Sequence, residues 1–236
     1  MSNSSKVWTR FESKQKDGVT IKLRTQDLPM ERIEDAFDFM ESYFMKNEAF
    51  FVAAGLHRSS DARKEYIELL KIVYRVKQPR IIICCLDDDN PKPDIIGLSS
   101  MLLSTKSEKV KDFLAEQFPI KTKELRALFD LIILLDELVG ATDFEKYYSG
   151  TGISVHLEYR GLGIANELVK VRKLVCIEDD VPMTCAWMTA IGTQKAAEKN
   201  KWKTSYEISA DELGRKSGLD FGNKIPIFKL MYTTKD

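Results

Sequence analysis

The chain of 236 residues lacks most of the features that mark specialised classes of protein. It has only two histidines, His57 and His156, and its four cysteines show no Cys-x-x-Cys spacing, so no zinc-type ligand set is expected. Cys84 and Cys85 are adjacent in an apolar run while Cys176 and Cys185 stand apart, a pattern that reads as free, buried thiols. There is no excess of charge. Thirty-six Lys plus Arg balance 36 Asp plus Glu, which gives no global field to recommend nucleic acid or an acidic membrane as partner. The opening MSNSSKVW has no apolar core and does not read as a secretory signal. The most apolar stretch, Leu125 to Val139, is interrupted by Asp130, Asp136 and Glu137 and is too short to span a bilayer. A cytoplasmic protein is expected. No internal repeat, linker or low-complexity tract is visible, and Asp87-Asp88-Asp89-Asn90-Pro91 lacks the spaced glycine and closing Glu of a calcium loop, so it reads as a solvated turn.

What is present is a soluble α/β (α+β) pattern over 236 residues, a length suited to one large domain or two small ones. Strands are expected at Val19 to Thr25, Arg80 to Leu86, Asp94 to Leu103, Gly152 to Leu157, Pro182 to Met188, Lys203 to Ile208 and Ile225 to Tyr232. Helices are expected at Pro29 to Lys46, Ser60 to Val76, Glu108 to Phe118, Lys121 to Leu138, from Ile164, and ending near Lys201. Residues 1–18 read as a poorly ordered or peripheral segment.

The most informative stretch is YRGLGIANELV, Tyr159 to Val169, entered from the apolar run Gly152 to Leu157. A strand, an arginine, a glycine turn and helical periodicity place unpaired backbone N–H groups at a helix N-terminus, where phosphate groups bind. Gly161 and Gly163 open positive φ and allow close approach of an anion. A P-loop would need Gly-Lys-Ser/Thr where Gly163-Ile164-Ala165 stands, and that reading fails. A dinucleotide turn would want a third glycine at Asn166 and a place near the start of a doubly wound sheet. The remaining readings are an ordinary strand-turn-helix and an R-x-x-G-x-A signature formed by Arg160, Gly163 and Ala165.

That signature resembles the acyl-CoA motif of the GNAT acetyltransferase superfamily, and YRGLGIA preceded by ISV looks like its arylalkylamine N-acetyltransferase-like branch, best known from insects. Phe44-Met45-Lys46-Asn47-Glu48-Ala49-Phe50 resembles that branch's F-x-K-D-E-P-L element, and Ala196 to Trp202 its closing helix. The resemblance runs from about Val19 to Tyr232 in element order. It implies the GNAT fold: a mixed, mostly antiparallel sheet of about seven strands flanked by helices, in one domain, with two strands splayed to admit an acyl-CoA. It implies that Ile153, Ser154 and Val155 meet the pantetheine arm, and that Arg160 and the amides of Gly161, Leu162, Gly163, Ile164 and Ala165 cradle the pyrophosphate.

The chemistry needs a base to deprotonate the acceptor amine and a donor for the developing oxyanion. By the resemblance Glu48 is the base, and Thr189 and Thr193 occupy the positions of implicated hydroxyls. Asn47 and Phe50 line the acceptor pocket, where the branch usually has Asp and Leu; Ala49 replaces its Pro. The tyrosine that many of these enzymes carry before the closing Glu-Lys is Ala197. His156, beside the turn, reads as a polar neighbour of the cofactor. The expected activity is acetyl transfer from acetyl-CoA to a small, arylalkylamine-like primary amine, without metal, nucleic acid or membrane, by a monomer or weak homodimer. A polyamine or hydrazine-like acceptor, a longer acyl donor, and a non-catalytic acyl-CoA-binding module stay open.

Overall fold

The computed structural model describes residues 5–139 and 142–236. Eight strands form one sheet: β1 (Val7–Lys14), β2 (Thr20–Asp27), β3 (Arg80–Leu86), β4 (Gly97–Thr105), β5 (Lys146–Val155), β6 (Met183–Met188), β7 (Lys203–Ser209) and β8 (Ile227–Thr234). Their order is β1-β2-β3-β4-β5-β6-β8-β7, and every neighbouring pair is antiparallel except β5 with β6. The eighth strand is the one the periodicity missed. Residues 7–14, within the segment expected to be poorly ordered or peripheral, form the edge strand β1, whose Arg10, Glu12 and Lys14 face solvent. Its inward-facing Thr9 and Ser13 are polar, which hides the alternation. Charged side chains on an edge also discourage pairing with another chain.

Two helical layers cover the sheet. On one face lie α1 (Ile33–Phe39), α2 (Ala49–Ala53), α3 (Ser60–Lys77), α4 (Val110–Gln117), α5 (Lys123–Val139) and α8 (Ala210–Ser217). Their apolar sides meet Ile83, Leu98 and Phe228 of the strands. On the other face lie α6 (Ile164–Glu178) and α7 (Ile191–Lys199). Ile164, Leu168, Val171 and Val175 repeat along α6 and bury completely against Ile82, Cys84 and Met101. Gly97 lets α6 sit close, because a Cβ there would stand 2.6 Å from Ile164.

Three further elements depart from the sequence pattern. The helix expected over Pro29 to Lys46 is α1 followed by a π-helical turn, Met40–Phe44. The five-residue α2 and the polar α8 carried no periodic signal. α8 is set by its caps instead: Ser209 Oγ accepts from Glu212 N–H, and Gly218 ends the helix at φ 73°.

Two irregularities shape the centre of the sheet. Ser100 opposes Gly152 and Met101 opposes Gly150, so Thr151 is an extra residue, a β-bulge in β5. β5 and β6 pair only at Tyr148 with Thr184 and at Ser149 with Cys185, and beyond that point they separate. The expected splay is present, and it begins at the bulge.

Candidate active site

A cavity of about 1130 Å³ runs from the α6 N-terminus through the gap between β5 and β6 to the space beneath α3, α4 and α5. Its first wall is the glycine turn. Gly161 and Gly163 stand at φ 86° and 79°, and nothing lies within 4 Å of where either Cβ would be. Backbone conformation, not crowding within the chain, is what requires glycine there. Gly163 is the N-cap of α6 and supplies no side-chain cap, while Glu167 N–H makes the first intrahelical bond to Gly163. The N–H groups of Ile164, Ala165 and Asn166 therefore have no helical acceptor. They form an anion site at the positive end of the helix dipole.

Arg160 is exposed beside this turn, with its Nε donating only a long 3.4 Å bond to the Val155 carbonyl. It lines the cavity together with Gly161, Gly163, Ile164 and Ala165. Leu162 does not. Its side chain is buried in the core under α6, so it has only its amide to offer. Ile164 is likewise packed inward.

Ile153, Ser154 and Val155 line the second wall. His156 N–H donates to the Ile96 carbonyl, which fixes the alternation of β5: every second residue addresses β4, and Ile153 and Val155 address the gap left by β6. Ser154 is buried and, paired opposite Leu98, lies on the α1 face of the sheet. Met40 and Phe44 of the π turn approach Gly152, whose missing Cβ would lie 3.3 Å from Met40 Cε.

That turn delivers the next segment. Glu48 is the N-cap of α2, its carboxylate accepting the Phe51 N–H at 2.9 Å, and it opens on the cavity. Desolvation raises its pKa above the ordinary carboxylate value; the Thr189 hydroxyl and the α2 amides oppose that shift without cancelling it. A carboxylate whose pKa is raised, at the edge of a cavity, is suited to taking a proton.

The other expected acceptor residues fall into distinct environments. Asn47 is exposed, and its Nδ2 donates to the Tyr43 carbonyl. Phe50 is buried in an aromatic cluster with Trp187, Phe221 and Phe228. Both border the cavity. Thr189 meets Glu48, but Thr193 spends its hydroxyl on the Ala190 carbonyl at 2.8 Å. The N-cap of α7 is Ala190, so neither threonine caps that helix. Ala197 is fully buried in a cluster that includes Val169 of α6, Met188 of β6 and Trp202.

His156 is locally committed: its Nδ1 accepts from Glu158 N–H, and its ring lies 4.4 Å from that of Tyr43. Among the described residues no group of His, Cys, Asp and Glu is arranged to hold a metal, and no helix is long and apolar enough to cross a membrane. All four cysteines are free; Cys84, Cys85 and Cys176 are buried and Cys185 is partly so.

One residue of this site carried no signal in the sequence. Arg172, two turns into α6, is 1% exposed, yet it lines the gap between β5 and β6. Its Nε donates to Ser99 Oγ and its Nη2 to the Gly152 carbonyl, both at 2.9 Å. An arginine on a helix ordinarily reads as solvent-facing, and only its position on the same stripe as Leu168 and Val175 hinted otherwise.

No protein-family model and no curated protein sequence matches the chain. Solved structures do match. A putative arylalkylamine N-acetyltransferase 7 from the yellow fever mosquito superposes with a TM-score of 0.81 at 23% identity, over 98% of this chain and 96% of that one. A polyamine N-acetyltransferase of Drosophila melanogaster gives 0.70 at 10% identity, over 90% and 99%. A GNAT-superfamily phosphinothricin acetyltransferase of Sinorhizobium meliloti, in complex with AcCoA, gives 0.54 at 10% identity, over 90% and 88%. The chain has the fold of the GNAT acetyltransferases.

Proposed function

We propose that the protein is an acetyl-CoA-dependent N-acetyltransferase that acts on a small primary amine by direct attack in a ternary complex. The observation that carries this reading is the sharing of one cavity by two groups: the unpaired amides at the α6 N-terminus and the Glu48 carboxylate. The first suits a pyrophosphate and the second a protonated amine. The solved structures of like fold support the reaction class. The mosquito protein is described as a putative arylalkylamine N-acetyltransferase, the Drosophila enzyme as forming N-acetylagmatine, and the Sinorhizobium enzyme was solved with AcCoA.

The amine arrives as an ammonium and transfers a proton to Glu48 or to water held by it. Its nitrogen lone pair then attacks the thioester carbon, forming the C–N bond, while the carbonyl π electrons move to oxygen. Backbone N–H groups of β5 that face the gap receive this oxyanion. The attacking nitrogen, now cationic, gives up a second proton to water, and collapse then re-forms C=O and breaks C–S, with the electron pair leaving on the thiolate. The aromatic wall at Phe50 and Trp187 offers an apolar surface to the aryl group of an arylalkylamine, while the carboxylates of Asp112 and Asp136, which also line the cavity, keep a polyamine acceptor open.

A non-catalytic acyl-CoA-binding module is the second reading, and Ala197 is what favours it, since no hydroxyl acid can come from that position. Thermal shift with CoA, acetyl-CoA and NAD tests the ligand class, because binding to the native state raises its apparent stability. Thiol release from acetyl-CoA across a panel of aryl amines and polyamines, repeated with Glu48→Ala, separates enzyme from module. CoA binding without turnover of any amine refutes the enzyme reading.

A further inference from the structure

Arg172 is a cation without a counter-ion among the described residues, at the point where β5 and β6 part. Its Nη1 has no hydrogen-bond partner among the described residues. It sits against Gly150, whose missing Cβ would be 2.2 Å from that nitrogen and 2.7 Å from Ala186 Cβ. Gly150 is the first residue of β5 beyond the last β6 pair, and Ala186 is the next residue of β6, so the guanidinium occupies the apex of the splay. The neighbouring titratable groups are the Cys176 thiol on its own helix and the Cys185 thiol on β6; burial pushes both up to about 12, so neither supplies negative charge. Burial lowers the pKa of Arg172 to about 10, which leaves it charged at neutral pH. A buried charge without a partner is costly to fold, and the fold retains it.

We propose that Arg172 is the fixed positive charge that stabilises the thiolate of coenzyme A as it leaves, while its bonds to Ser99 and Gly152 hold the β5 bulge beneath the thioester. This rests on the acyl-CoA reading above. Arg172 lies nine residues beyond Gly163, about 13 Å of helix rise. An extended pantetheine arm with its phosphates at the turn covers a comparable distance and brings its sulfur to the apex. In the step at issue the tetrahedral intermediate re-forms C=O, the C–S bond breaks, and the electron pair stays on sulfur. Arg172 keeps its protons throughout, and the thiolate later takes one from solvent. A permanent charge at this point removes the need for the hydroxyl acid that Ala197 cannot supply.

The test uses the whole protein with CoA and desulfo-CoA as probes, their affinities measured by calorimetry from pH 6 to 9. A cation beside the sulfur lowers the thiol pKa only in the complex. The ratio of CoA to desulfo-CoA affinity then rises with pH, by up to about tenfold per unit, until the pH reaches the pKa of the free CoA thiol. Arg172→Met, close in shape but uncharged, is expected to flatten that ratio and to lower kcat with acetyl-CoA by about 10²-fold, with KM for acetyl-CoA little changed. Arg172→Lys is expected to restore part of the pH dependence, which a merely structural arginine would not predict. A flat ratio in the unaltered protein overturns the proposal, and so does an unaltered ratio in Arg172→Met. Should Arg172→Met not fold, the unaltered protein and Arg172→Lys still decide the matter. Failure to bind either probe overturns the acyl-CoA reading itself, a result distinct from binding with a flat ratio.

Discussion

The side chain that Gly150 does not have is replaced by Arg172. A Cβ at that position would meet Nη1 at 2.2 Å, far inside any contact distance, so the glycine of β5 and the arginine of α6 are two halves of one packing solution. Gly150→Ala must therefore push the guanidinium aside or tilt β5 against Ala186. Overpacking of this kind costs about 1–3 kcal/mol. Urea denaturation is expected to show a loss in that range. A loss near zero would mean that Arg172 swings freely and is not held at the apex.

As the proposed base, Glu48 would link activity and stability with opposite signs. Its folded-state pKa is raised, mainly by burial, so the native state holds the proton more tightly than the unfolded chain. Folding stability attributable to this group falls as pH rises from the unfolded value of about 4.3 through the folded one, and the penalty persists at pH 7. Glu48→Gln removes the charge but keeps an oxygen for the Phe51 N–H. It is expected to unfold at a higher temperature than the unaltered protein at pH 7 and to lose about 10²–10⁴-fold in kcat. The acid limb of the kcat/KM profile should disappear with it. A variant both less stable and fully active would remove Glu48 from the chemistry.

Gly163 separates backbone strain from steric conflict. Nothing would touch a Cβ there, so the cost of Gly163→Ala comes from φ 79° alone, about 1–2 kcal/mol. The same change disturbs the N–H groups at the α6 N-terminus. Calorimetric titration with CoA is expected to show affinity reduced at least tenfold, with Gly214→Ala, in α8 and outside the cavity lining, as a comparison that leaves CoA affinity unchanged.

Most elements whose apolar residues repeat were legible before any coordinates. The bounds of β3 coincide with the run Arg80 to Leu86, and α3 and α6 follow their periodic stripes. What escaped was set by something other than periodicity. β1 hides behind inward-facing Thr9 and Ser13, α8 depends on the Ser209 cap, and α2 is only five residues long. The site divides in the same way. The glycine turn was readable because positive φ and a helix start leave a mark in the sequence. Arg172 was not, because a buried cation in a helix looks like a surface one until its neighbours are known. Thr193 was read by position alone, and its hydroxyl is bound to Ala190.

Glu65 on α3 accepts the backbone N–H of Thr122 at 2.9 Å, the Lys121 N–H and the Thr122 hydroxyl, and so ties α3 to the start of α5. Although desolvation pushes the other way, these bonds hold the Glu65 pKa below its ordinary value. A lowered folded-state pKa means that the contribution is present above about pH 4.3 and is lost as pH falls through the folded value. Glu65→Gln leaves one acceptor oxygen in place of two and is expected to cost about 1–2 kcal/mol at pH 7, the usual worth of a lost cap. The gap between the two urea midpoints should narrow steadily below pH ~4. A gap that stays constant down to pH ~2 would mean that the carboxylate's charge plays no part in holding α5 to α3.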